Sequence, residues 1–146
     1  MTIFKIIPSF LASALTTFIF AAIFYTNRVL AAQKAIGVEF TPAQQLDAYL
    51  SNAAGLASTY GLVLTAGLAI AFPIAAGVKR VLRPLAPIAF PTAGAVAVYT
   101  AIWLIENVVG SGGVGALSGA RGAFGLGLQM LAGAIGGALF SFLVRR

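Results

Sequence analysis

An all-α bundle of four membrane-spanning helices is the fold this sequence predicts, on three observations. Four long apolar stretches divide the chain, and the short segments beside them hold nearly all its charge. The composition is 60% hydrophobic and 8% charged, against roughly 25% charged in soluble proteins. The apolar runs are also continuous, whereas membrane β-strands show as short alternating segments. Each run supplies the about 20 residues that a helix needs to cross ~30 Å of hydrocarbon. The spans read as Ile6–Ala31, Leu56–Val78, Pro87–Val109 and Ala123–Val144, which makes the 146-residue chain one transmembrane domain without a separate catalytic module.

Span 1 starts around Pro8 and is dense in aromatics, with Phe18, Phe20, Phe24 and Tyr25 toward its far end, as an interfacial belt requires. Arg28 closes it, with a stem long enough to snorkel outward. Its apolar run exceeds the about 7–15 residues of a signal-peptide core, and Arg28 interrupts the approach to any cleavage site. Span 1 therefore reads as an uncleaved anchor.

Between spans 1 and 2, Thr41-Pro42-Ala43-Gln44 is a helix start with a mechanism. The Thr hydroxyl caps the Gln44 amide, the Gln44 side chain reaches back, and proline suits the first helical position. Leu46, Tyr49, Leu50 and Ala53 follow at helical spacing, which predicts an amphipathic helix over about 42–54. Either it lies on the membrane surface or span 2 projects outward by several turns; the projecting helix is the preferred reading. Within span 2, Pro73 removes the donor for the Ala69 carbonyl and is expected to kink the helix.

Span 3 opens with Pro84, Pro87 and Pro91. The first two suit a helix start and Pro91 is expected to bend the span. Ala89, Ala93, Ala97 and Ala101 recur every fourth residue and read as a seam for close helix approach. The following Gly110–Gly127 segment is glycine-rich but lacks the Gly-Lys-Ser/Thr ending of a phosphate loop. It reads as a flexible external connection. In span 4, Gly133 and Gly137 frame a GxxxG match, a packing face that does not by itself establish a dimer.

Spans 2 and 4 share short matches: Leu50-Ser51 with Leu117-Ser118, Ala66-Gly67 with Ala132-Gly133, and Val78-Lys79-Arg80 with Val144-Arg145-Arg146. Spans 1 and 3 align more loosely, through Pro8 with Pro87 and Asn27 with Glu106. Alanine- and glycine-rich sequence also yields such matches by chance. If they mark a duplication, it is a parallel repeat of two helical hairpins about an axis along the membrane normal.

The net charge of +6 is topological, not a nucleic-acid footprint, because the charges sit at span ends. Lys5, Lys79, Arg80, Arg83, Arg145 and Arg146 share one side. Arg28, Lys34 and Arg121 share the other with all three acids, Glu39, Asp47 and Glu106. Six basic residues against three place both termini in the cytoplasm by the positive-inside rule, and a bacterial inner membrane is the default location.

Chemistry is bounded mainly by what is missing. With no cysteine there are no thiolate nucleophiles, disulfides or Cys metal sites; with no histidine there is no imidazole catalysis or His-ligated haem. No catalytic residue, metal ligand or cofactor site is expected. Glu106 is the acid nearest a span, a candidate for a pathway mouth or for pairing with Arg121 or Arg28. Gln129 is the strongly polar residue well inside span 4. Ser13, Thr16, Thr17, Thr65 and Thr100 are helix–helix hydrogen-bonding residues, and Tyr25, Tyr60 and Tyr99 read as interfacial or core aromatics.

The expected function is a non-enzymatic structural or accessory subunit that packs against other membrane subunits or copies of itself, with membrane lipid around it and no nucleic-acid partner. The alternative is a small oligomeric transporter or channel for a lipid, apolar solute or ion.

Overall fold

Backbone polar groups in hydrocarbon must be satisfied within their own segment, and the apolar runs of this chain do so as helices. A computed structural model describes residues 3–109 and 122–145, all in helices and short connections with no strand among them. Helix α1 spans Ile3–Ala35 and α2 spans Pro42–Leu56. A π-turn at Ala57–Gly61 leads into α3, Leu62–Val81, so that Pro42–Val81 is one helix of 40 residues. A 3₁₀ turn at Arg83–Leu85 precedes α4, Ala89–Leu104, which ends in a second π-turn at Ile105–Val109. Helix α5 spans Gly122–Arg145. The four helices Phe4–Ala35, Pro42–Val81, Ala89–Val108 and Gly122–Arg145 are long and apolar enough to cross a membrane, and they form an all-α bundle.

The α1–α2 turn follows from its residues. Val38 N–H donates to Gln33 O and Gly37 N–H to Lys34 O, the two bonds of a Schellman ending, with Gly37 at φ +89° where a Cβ would be strained. The next helix starts on the reciprocal cap of Thr41 and Gln44: Thr41 N–H donates to Gln44 Oε1 at 2.9 Å and Gln44 N–H to Thr41 Oγ1 at 3.3 Å.

Helix α5 holds the bundle together by packing on α1 and α4, while α3 packs on α4. The α4–α5 approach is backbone to backbone. A Cβ placed on Gly94 would stand 2.0 Å from Gly133 O, one on Gly133 would stand 2.2 Å from Gly94 O, and one on Gly137 2.1 Å from Phe90 O. On the other side of α5, Gly136 leaves room for Thr17, and the Ser13 hydroxyl donates to Gly136 O at 2.7 Å. The buried side of α1 is a run of small residues, Ser9, Ser13, Ala14, Thr17, Ala21 and Ala22. Glycine on one helix against serine and threonine on the next is how close contact is made where apolar burial gives no drive between helices. Helices α1 and α3, the first sequence hairpin, meet only lightly, whereas α4 and α5, the second, touch at their glycines. The two hairpins of the suggested repeat therefore pack differently.

The prolines take several roles. Pro91 is the third residue of α4, within the first turn, where the missing N–H would have had no intrahelical partner. It helps start the helix and does not bend it, contrary to the expectation for span 3. Pro73 lies inside α3, which continues through it, and both Pro73 and Ala69 are on the exposed side. The Ala69 carbonyl thus faces out of the bundle instead of lining an interior path.

Candidate functional site

A buried polar arrangement ties α5 to α1 and to the turn between α2 and α3 at mid-bundle. Gln129 on α5 is 2% exposed, and both ends of its amide are used. Its Nε2 donates to the Ala21 carbonyl of α1 at 3.0 Å, and its Oε1 accepts from the Tyr60 hydroxyl at 3.0 Å. Tyr60 is also buried, on the π-turn between α2 and α3. An extra residue in one helical turn re-aims the side chains after it. Here the turn carries the Tyr60 ring into the core while Ala57, Ser58 and Thr59 stay exposed. No buried side-chain nitrogen or oxygen among the described residues is left without a partner. Such a satisfied crossing specifies which helices meet and at what height.

Toward the end that bears Lys79 and Arg145, hereafter the basic end, the bundle centre is filled by aromatics. Phe10, Phe72, Phe90 and Phe140 come one from each of α1, α3, α4 and α5. Phe72 and Phe140 stack at 4.5 Å, and Phe90 meets both edge-on, at 5.9 and 5.1 Å. Phe10 closes the group at 6.1 Å from Phe72. Between this cluster and the Gln129 crossing, Leu64 and Leu68 are fully buried.

At the opposite end the first two helices outrun the others. At 1.5 Å per residue, the 24 residues of α5 are about 36 Å long, whereas Pro42–Val81 is about 60 Å and α1 about 50 Å. Gln129 is level with Ala21 and Tyr60, and α5 begins seven residues from Gln129, level with Arg28, whose guanidinium lies 5.3 Å from the Phe124 ring centroid. Beyond that level a hairpin of roughly residues 29–52 extends past the described ends of α4 and α5.

Two side-chain pairs brace the hairpin base. The Tyr49 hydroxyl donates to Asn27 Oδ1, and Asn52 Nδ2 donates to Thr26 Oγ1 at 3.3 Å. Between the hairpin's helices runs an open groove of about 570 Å³, lined by Gln33, Phe40, Gln44, Asp47, Ser51 and neighbours. On the hairpin surface Leu46 and Leu50, one helical turn apart, are 61% and 64% exposed, and Ile36 in the turn is 81% exposed.

The residues singled out in the sequence are distributed among these features. Gln129 is at the central crossing. Arg28 is over Phe124, not beside Glu106, and Glu106 is exposed on the π-turn that ends α4. Arg121 and most of the Gly110–Gly127 connection, through residue 121, lie outside the described residues. Ala97 and Ala101 are buried, Ala97 against Gly67 of α3, while Ala89 and Ala93 are half-buried. A strict four-residue repeat drifts about 40° per step on a helix of 3.6 residues per turn. The seam therefore winds from a half-exposed edge into the core, and the α4 glycine that meets the α5 backbone is Gly94, outside the seam. Gly94 and the Phe cluster are contributions that the sequence reading missed, whereas Ser13, read as a helix–helix hydrogen-bonding residue, does bond Gly136 of α5. Tyr60, a core or interfacial aromatic on the sequence, is a core residue whose hydroxyl donates to Gln129.

Among the described residues, no three His, Cys, Asp or Glu side chains come together as a metal-ligand group. No protein-family model, curated protein or solved structure matches the chain.

Proposed function

We propose that this protein is a non-enzymatic subunit of a membrane protein assembly, with the projecting α1–α2 hairpin as its docking element. The observation that carries the proposal is the exposure of Leu46 and Leu50 on a helix segment beyond the level at which α5 begins. Exposed leucines within the lipid-facing band are covered by acyl chains and need no explanation. The hairpin lies beyond the about 36 Å of α5, which already exceeds the ~30 Å hydrocarbon core, and apolar side chains paired there at one helical turn suit a surface for another protein.

The reading fits the rest of the molecule. The hairpin is braced at its base by Tyr49–Asn27 and Asn52–Thr26 and capped at its tip, so it presents the leucines at a fixed angle. The bundle beneath is held by backbone contacts and a satisfied amide crossing, features of a scaffold. A transport pathway within one chain has no such support, because its centre is occupied by Leu64, Leu68 and four phenylalanines. Both termini belong in the cytoplasm on the distribution of basic residues, with a bacterial inner membrane as the setting and the hairpin on the far side.

The test is to replace Leu46 and Leu50 with serine in the full chain. The expected result is loss of co-purifying subunits, or of the homo-oligomer, with an unchanged thermal midpoint in detergent. Recovery of the same assembly at the same stoichiometry would remove the hairpin from the docking role.

A further inference from the structure

At the basic end, α3 and α4 part to leave a second groove of about 340 Å³. The two helices are in contact higher up, where Gly67 meets the Ala97 carbonyl, and are rejoined below by residues 82–88. Between those points small residues, Ala71, Ala75, Ala89 and Ala93, leave a recess edged by Ile74 and Ile88, which are 62% and 54% exposed. The lining is apolar except for Thr92, whose hydroxyl is turned onto the Ile88 carbonyl at 2.8 Å. Val78 and Leu85 line the groove, and the chain joining them carries Lys79, Arg80 and Arg83. Lys79 Nζ lies 5.7 Å from the Phe90 ring centroid, which ties its charge to the α3–α4 junction. No acidic side chain is available to offset these three charges, since Glu39 and Asp47 belong to the hairpin and Glu106 to the far end of α4.

We propose that this groove binds one anionic phospholipid, with an acyl chain along the α3–α4 recess and its phosphate held by Lys79 and Arg83. Its two halves require one ligand with two chemistries: an apolar tail for a recess without free donors, and an anion at headgroup height for a basic cluster without carboxylates. Zwitterionic lipid satisfies the recess but carries a choline that the cluster repels. A soluble anion satisfies the cluster and leaves the recess to bulk lipid. Basic pockets between spanning helices recognise anionic headgroups in this way, with about a fivefold gain in affinity from each basic side chain near the surface.

The experiment incubates the purified full-length protein in detergent with equal amounts of dioleoyl-phosphatidylglycerol and dioleoyl-phosphatidylcholine. Native mass spectrometry then reads the ratio of the two lipids retained. The wild type is expected to retain one phosphatidylglycerol in preference. K79Q/R83Q should lose about 25-fold of that preference, and T92F, which fills the groove from an exposed position, should lose the bound lipid itself. K34Q, which removes a basic charge at the hairpin end, should change neither. Equal retention of the two lipids by the wild type would overturn the proposal, as would an unchanged preference in K79Q/R83Q. A loss in K34Q as large as in K79Q/R83Q would assign the effect to net charge and overturn the site. Retention of phosphatidylglycerol by T92F would overturn the groove.

Discussion

Two alanine substitutions on one helix, six residues apart, should have opposite effects. At Gly133 a Cβ would stand 2.2 Å from the Gly94 carbonyl oxygen and 2.7 Å from Val98 Cγ2, where ordinary contact is 3.4–4 Å. Reaching the near limit requires α4 and α5 to separate by 3.4 − 2.2 = 1.2 Å at that point. The oxygen is main chain and has no rotamer with which to yield. A gap of 0.5–1 Å already forfeits a quarter to a half of a dispersion contact, so the loss extends to Gly137 against Phe90. Overpacking of this kind costs about 3 kcal/mol, the upper part of its usual range. At Gly127, by contrast, nothing lies within 4 Å of an added Cβ, and replacing a helical glycine there should stabilise by about 0.5–1 kcal/mol. Titration of the purified protein with a denaturing detergent, followed by the fluorescence of its single tryptophan, Trp103, reads both changes. A G133A variant within about 0.5 kcal/mol of wild type, or a G127A variant as damaged as G133A, would refute the glycine-mediated contact.

Other perturbations separate the remaining parts of the structure. Q129L removes two interhelical hydrogen bonds and should cost about 1–2 kcal/mol, while Y60F removes one. The double variant should be little worse than Q129L alone, and strict additivity in the same titration would deny their coupling. F140A empties the centre of the aromatic cluster and should destabilise by about 3 kcal/mol, whereas an unchanged midpoint would mean that the cluster does not form. T41A removes one half of the reciprocal cap and should cost about 1 kcal/mol locally. It should be seen as faster amide exchange over residues 43–45 with an unmoved global midpoint.

What the sequence discloses and what it withholds divide along physical lines. The four spans are legible because hydrocarbon demands a continuous apolar run, and the cap at Thr41–Gln44 is legible because it involves only four consecutive residues. Gln129 stands out as a strong amide in an apolar span, but its partners do not. They lie 69 and 108 positions away, one of them a main-chain carbonyl with no sequence identity of its own. The α4–α5 contact is concealed for another reason: regular alanine spacing attracts attention to the 89–101 seam, whereas one glycine at position 94 makes the approach. The phenylalanine cluster draws one residue from each spanning helix and requires the bundle to be assembled before its members meet. The basic-end groove arises between helices at a height set by the Gly67–Ala97 contact, which the order of residues does not reveal.

The central claim is that the projecting hairpin docks this scaffold into a larger membrane assembly. Gentle extraction of the intact protein from its native membrane, followed by native mass spectrometry, tests it most directly. The account expects additional polypeptides, or further copies of the chain, at one fixed stoichiometry that L46S/L50S abolishes. A single chain carrying only lipid, in the wild type as in the variant, would contradict it.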